Sequence, residues 1–135
     1  MIRCYLALGS NLGTPTRQLH QAIATLRCFP KTHVIDVANF YHNKAWGRRT
    51  QPNFVNTVVA INTYLTPNEL LKKCLALEKK QGRYRLVKWG ARTLDIDILL
   101  YGTQLISTPT LVIPHPRMHE RDFVLIPLKT IRISD

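Results

Sequence analysis

The stretch Arg92-Thr93-Leu94-Asp95-Ile96-Asp97-Ile98-Leu99-Leu100 alternates two carboxylates with isoleucines and then turns wholly apolar. Strand residues i and i+2 share a face, so Asp95 and Asp97 project side by side. Their Cα atoms stand about 6.5–7 Å apart at strand rise. Ile96 and Ile98 point the other way, into a core. Two like charges held together cost free energy unless a cation or a basic cluster compensates them. Arg83, Arg85, Lys88 and Arg92 precede the pair and supply that charge. Carboxylates with arginines nearby suit a metal–polyphosphate complex.

Working outward, this stretch is the last of four predicted strands. Met1 to Leu8 reads as a buried strand stopped by Gly9-Ser10-Asn11-Leu12-Gly13. A helix is expected from about Pro15 to Phe29, capped by Thr14 or Thr16, with Leu19, Ile23 and Leu26 as its apolar stripe. Pro30 ends it, and a second strand is expected over His33 to Tyr41. Asn43 to Asn53 reads as a long loop containing Trp46, of the kind that carries function in compact domains. Phe54 to Tyr64 is the third strand. Thr66-Pro67-Asn68-Glu69 opens a second helix: Thr66 caps, Pro67 takes the first position and Glu69 completes a capping box. Leu70, Leu71, Cys74 and Leu77 face its core, Gly82 ends it, and a basic loop from Gly82 to Gly90 leads to Asp95–Tyr101. The remainder is rich in proline and reads as irregular, with a short apolar segment from Phe123 to Leu128. The order β-α-β-β-α-β is the split βαβ arrangement: an α+β, ferredoxin-like fold with an antiparallel sheet and two helices on one face.

The chain has 135 residues, so one domain over 1–135 is expected. Its 45% hydrophobic content fits a folded globular protein. The net charge of +11 favours a polyanionic partner, whether nucleic acid, an anionic membrane or a phosphorylated small molecule. Cys4, Cys28 and Cys74 are widely spaced with no C-x-x-C pair, so each reads as a small hydrophobe in a reducing compartment. No signal peptide and no membrane-spanning run is visible, which makes a cytoplasmic protein the expectation.

Three further motifs bear on chemistry. Gly9 to Gly13 lacks the Lys-Ser/Thr of a phosphate loop and reads mainly as a tight turn. The Gly82–Arg92 loop offers arginine forks that match phosphate oxygens; a merely solvated basic loop is the bland reading. His115 and His119 stand four apart within Pro114-His115-Pro116-Arg117-Met118-His119, but no third zinc ligand is placed by sequence. A phosphate contact at His115 is the preferred reading. Flat aromatic side chains around Asn56 would suit a planar heterocycle held by stacking and amide hydrogen bonds.

Taken together, these segments resemble the 6-hydroxymethyl-7,8-dihydropterin pyrophosphokinases of folate biosynthesis. The likeness runs from Tyr5-Leu6-Ala7-Leu8-Gly9-Ser10-Asn11 through Gln51-Pro52-Asn53-Phe54-Val55-Asn56. It continues through Gly82-Arg83-Tyr84-Arg85 and Trp89-Gly90-Ala91-Arg92-Thr93-Leu94-Asp95-Ile96-Asp97 to Pro114-His115-Pro116-Arg117-Met118 and Arg121-Asp122-Phe123. The resemblance implies transfer of the ATP pyrophosphoryl group to the pterin hydroxymethyl oxygen, with AMP released. It implies two Mg²⁺ ions on Asp95 and Asp97, with Arg83 and Arg92 engaging the phosphates during transfer. It places ATP against Leu71, Glu78, Arg83, Arg85, Trp89, Arg92, Ile98, His115 and Arg121. It places the pterin between Phe54 and Phe123, with Asn56 reading its edge and Asn43, Trp46 and Asp95 around it. A monomer acting on these two small substrates, without nucleic acid or membrane, is the expectation.

The chain departs from the family pattern in places. Only Leu86-Val87-Lys88 separates Arg85 from Trp89, Thr110 and Val112 replace basic and polar residues, and the sequence after Leu128 is short. Two other classes of function compete. A basic ferredoxin-like RNA-binding module fits the charge and fold, but two aspartates on a central strand face would repel a phosphate chain. A catalytically inactive relative acting by binding is the other, against which the intact Arg83, Arg92, Asp95 and Asp97 argue.

Overall fold

A computed structural model describes residues 1–11, 14–43, 54–82 and 94–116, with positions 118, 124, 127 and 131. The elements are β1 (Ile2–Ser10), α1 (Pro15–Leu26), β2 (Thr32–Val37), β3 (Tyr41–Asn43), β4 (Phe54–Thr63), α2 (Pro67–Lys80), β5 (Asp95–Tyr101), β6 (Ile106–Ser107) and β7 (Val112–Ile113). The main sheet has the order β2-β4-β1-β5, with β3 also paired to β4. Every pairing is antiparallel. This is the expected α+β, βαββαβ-like sheet with two helices on one face.

Period-2 alternation sorts the side chains of the central strands. Cys4, Leu6 and Leu8 of β1, Val55, Val59 and Ile61 of β4, and Ile96 and Ile98 of β5 pack beneath the helices. Leu19, Ala22, Ile23 and Leu26 of α1 and Leu70, Cys74 and Leu77 of α2 meet them. Tyr5, Ala7, Val58, Ala60 and Leu99 face the other way, into a second cluster with Met118, Val124 and Ile131. The apolar run of β1 is thus buried on both faces at its middle. Burial pushes the Cys4 and Cys74 thiols up to about 12, in keeping with their reading as inert hydrophobes.

The capping box of α2 forms as expected. Thr66 N–H donates to Glu69 Oε1 at 2.9 Å, and Glu69 N–H donates to Thr66 Oγ1 at 3.2 Å. Thr14 takes the N-cap position of α1, with Pro15 following, but makes no side-chain cap bond. That helix is shorter than expected: after Leu26 the chain tightens, with Cys28 N–H donating to Thr25 O and Phe29 N–H to Leu26 O.

Three further expectations are corrected, and β5 forms over the expected Asp95–Tyr101 with one irregularity. The second strand is not continuous: it breaks between Val37 and Tyr41, where Thr57 Oγ1 donates to Ala38 O at 2.8 Å, and it bulges between Val34 and Asp36. β1 does not stop at Leu8 but continues through Gly9 and Ser10, paired with Asn56 and Val55. β5 carries a bulge: Tyr5 pairs with Leu100 and Leu6 with Ile98, leaving Leu99 as the extra residue. Leu99 and Leu100 therefore share the far face, and Tyr101 returns to the helix side, where its hydroxyl donates to Leu65 O. The Pro-rich remainder is not wholly irregular, because β6 and β7 form a small hairpin. Its turn is closed by Thr108 N–H to Leu111 O and by Leu111 N–H to Thr108 Oγ1.

The exposed cations Arg17, Arg27, Lys72, Lys73, Lys79 and Lys80 lie on the two helices; nothing in the structure explains them. No helix among the described residues is long and apolar enough to cross a membrane.

Candidate active site

The sheet face away from the helices holds the polar residues. Asp95 pairs with Gly9, and Gly9 pairs with Asn56 on its other side. Tyr41 pairs with Asn56 beyond that. One row therefore crosses four strands as Tyr41, Asn56, Gly9 and Asp95. The next row along places Asp97 beside Ala7 and Ala7 beside Val58. Two strand spacings put the Asn56 and Asp95 backbones about 10 Å apart, with a floor of glycine and alanine between the polar side chains.

Gly9 is required by close approach rather than by a turn. A Cβ at Gly9 would stand 2.5 Å from Asn56 Oδ1. Asn56 is nearly buried, so its amide has little room to yield. We expect Gly9→Ala to push the Asn56 side chain or β1 aside and to lower the melting temperature by about 5–10 °C, for an overpacking cost of about 1–3 kcal/mol. A thermal melt by circular dichroism checks this; an unchanged melt would mean the close approach at Gly9 is absorbed without strain. The signal for Gly9 was present in the sequence, as a glycine adjoining a strand pattern. Its neighbours Ser10, Asn11 and Gly13 give the same residue the look of a tight turn.

Asp95 and Asp97 share the far face as expected, both partly exposed, while Ile96 and Ile98 are buried opposite them. The chain after β7 returns to this edge: His115 N–H donates to Leu99 O at 3.0 Å. That bond brings His115 Nε2 to 3.8 Å from Asp97 Oδ1, within ion-pair reach when the imidazole is protonated. Ile98 itself turns its side chain into the helix-side core, and Leu71 is half-buried against the same core. Any ATP contact at Ile98 therefore falls to its backbone. Phe54 opens β4 on the Asn56 face, half-buried, and pairs with Asn43.

Glu78, which the resemblance places against ATP, lies in the interior instead. It is buried in α2, and its Oε2 accepts from Ile96 N–H at 2.7 Å. Arg83, Arg85, Lys88, Trp89, Arg92, Trp46, His119, Arg121 and Phe123 lie outside the described residues, as do the side chain of Asn43 and most of the Gly82–Gly90 loop.

Among the described residues no three His, Cys, Asp or Glu side chains converge on a metal position. Two carboxylates with hard oxygen donors suit Mg²⁺, which is commonly held by one or two carboxylates together with substrate phosphates. Paired, partly exposed carboxylates, a histidine beside them and a buried amide two strands away form an arrangement whose chemistry suits a phosphate-bound Mg²⁺ ion.

The particular family follows from comparison with known proteins. The family model for 7,8-dihydro-6-hydroxymethylpterin-pyrophosphokinase (HPPK) matches residues 5–133. The chain is 48% identical over 128 residues to the 2-amino-4-hydroxy-6-hydroxymethyldihydropteridine pyrophosphokinase of Haemophilus influenzae, covering 95% of this chain and 80% of that protein. It is 46% identical to the Pseudomonas aeruginosa enzyme of the same name, covering 93% and 78% of the two chains. With the Bacillus subtilis enzyme the identity is 45%, over 94% and 76%. This chain belongs to the HPPK family, whose members use ATP with Mg²⁺.

Proposed function

We infer that the far face of this sheet carries out the family's reaction, transfer of the pyrophosphoryl group of ATP to the hydroxymethyl oxygen of 6-hydroxymethyl-7,8-dihydropterin in folate biosynthesis. The bond from that oxygen to the β-phosphorus forms as the bond from the β-phosphorus to the α,β-bridging oxygen breaks, and AMP leaves. The observation that carries this reading is the row Asn56–Gly9–Asp95 with Asp97 beside it. It sets an amide able to read a heterocycle edge across a flat floor from two carboxylates able to serve a polyphosphate.

Asp95 and Asp97 would hold two Mg²⁺ ions together with phosphate oxygens. Bound Mg²⁺ supplies charge neutralisation on the phosphates and a lowered pKa for the attacking hydroxyl. The protein's own part is placement. Asn56 orients the pterin edge, Phe54 offers it a ring, and His115 stands where it can meet a phosphate oxygen near Asp97. Arg83 and Arg92 are the residues we assign to charge developing during transfer, with Arg85, Trp89 and Arg121 on the nucleotide and Phe123 on the pterin. Positioning and electrostatics, rather than a strong side-chain base, carry the catalysis. We read residues 1–135 as one domain and the enzyme as a cytoplasmic monomer.

Removing Mg²⁺ tests the polyphosphate side. Chelation with EDTA is expected to weaken binding of a non-hydrolysable ATP analogue at least tenfold by calorimetry, while Mg²⁺ restores it. Equal affinity with and without Mg²⁺ would count against the acidic pair as a nucleotide-metal site.

A further inference from the structure

Glu78, which the resemblance sets against ATP, is only 3% exposed. A buried carboxylate is tolerated when hydrogen-bonded. One of its partners is telling: Ile96 N–H belongs to the peptide that directly follows Asp95 and precedes Asp97. The bond joins residues 18 apart in sequence and links α2 to β5.

Among the described residues β5 is an edge strand, paired with β1 along one side. An edge strand lacks a second ladder to fix its backbone. Here two bonds stand in for that ladder. Glu78 takes Ile96 N–H on one side of Asp97, and His115 N–H reaches Leu99 O on the other. Asp97 lies between these two fixed points. The bulge at Leu99 lies immediately downstream, so a strand without such anchors would have a place to give.

We propose that Glu78 is a positioning residue for the acidic pair: its carboxylate fixes the Asp95–Ile96 peptide and so the spacing of the Asp95 and Asp97 side chains. The inference rests on the reading of that pair as the Mg²⁺-holding site. Groups that orient metal ligands from behind are typically worth about 10–100-fold in metal affinity or activity.

The test is the Mg²⁺ dependence of AMP release at saturating ATP and pterin. Glu78→Met fills the same volume without an oxygen acceptor and avoids leaving a buried cavity or charge. It is expected to raise the Mg²⁺ concentration at half-activity about tenfold. Glu78→Gln keeps an acceptor oxygen and is expected to stay within about twofold of the native half-activity concentration. Thr66→Ala weakens the same helix from its other end without touching β5, and its Mg²⁺ curve should match the native one. That control separates positioning from loss of stability. A native Mg²⁺ curve for Glu78→Met overturns the proposal. So does a Glu78→Gln curve shifted as far as that of Glu78→Met, since charge rather than the hydrogen bond would then matter. If the native protein itself shows no Mg²⁺-dependent, pterin-dependent AMP release, it is the underlying reading of the site that fails.

Discussion

An Asp97→Ala variant is expected to form AMP about a thousandfold more slowly than the native protein, with its fold intact. A thousandfold corresponds to about 4 kcal/mol of transition-state stabilisation. That is the scale expected when a carboxylate serving a metal–polyphosphate complex is lost. The structure says why the fold should survive. Asp97 is partly exposed, and its strand neighbour Ala7 is small. Its contact with His115 Nε2, at 3.8 Å, is long and partly solvated, and pairs of this kind contribute little. Removing it also relieves repulsion with Asp95, two residues away on the same face. The variant should therefore melt within a few degrees of the native protein. Steady-state AMP release and a thermal melt by circular dichroism decide the matter together. Retained activity would remove Asp97 from the metal site. Lost activity with a collapsed melt would leave its role undecided between fold and chemistry, and Asp97→Asn would then be needed.

Leu6→Ala should show the opposite pattern, with stability lost and chemistry preserved. Leu6 is fully buried in the central strand β1, with Val59 on one side and Ile98 on the other. Close-packed strands on both sides leave the site little freedom to collapse. Leucine-to-alanine changes of this kind cost about 3–5 kcal/mol, combining lost transfer free energy with the cavity left behind. That is a large share of the roughly 5–15 kcal/mol available to a domain. For a chain of this size we expect the melting temperature to fall by about 10–15 °C. Well below that temperature the variant should keep most of its turnover, because Leu6 faces the helices and not the acidic face. A melt unchanged within a degree or two would contradict the assignment of Leu6 to the helix-side core. Loss of turnover in the cold would mean that core and site are coupled through β1.

What was legible in the sequence is what short range determines. The period-2 pattern of Asp95 to Ile98 located a strand and its two faces. Thr66, Pro67 and Glu69 located the start of α2 because a capping box is closed within four residues. The element order then carried the sheet. What was not legible depends on partners far along the chain. Gly9 looked like a turn because its reason for being glycine is the Asn56 amide on another strand. Glu78 could have been a solvated helix glutamate; only the arrival of Ile96 N–H makes it a buried acceptor. The break after Val37 goes with Thr57 Oγ1 donating to Ala38 O, and the Leu99 bulge with the pairing to β1. The motif around His115 suggests a phosphate contact, but its approach to Asp97 comes from a backbone bond to Leu99 that no local pattern encodes. The arginines predicted to meet the phosphates, Arg83 and Arg92, lie outside the described residues, so their assignment still rests on the motif.

The measurement that goes most directly to the function is the nucleotide product formed from Mg·ATP by the native protein, with and without 6-hydroxymethyl-7,8-dihydropterin. AMP that appears only with the pterin, in step with a pyrophosphorylated pterin, is the result expected. ADP as the pterin-dependent product would put the attack on the γ-phosphorus and contradict pyrophosphoryl transfer, while no nucleotide product from folded protein would contradict catalysis altogether.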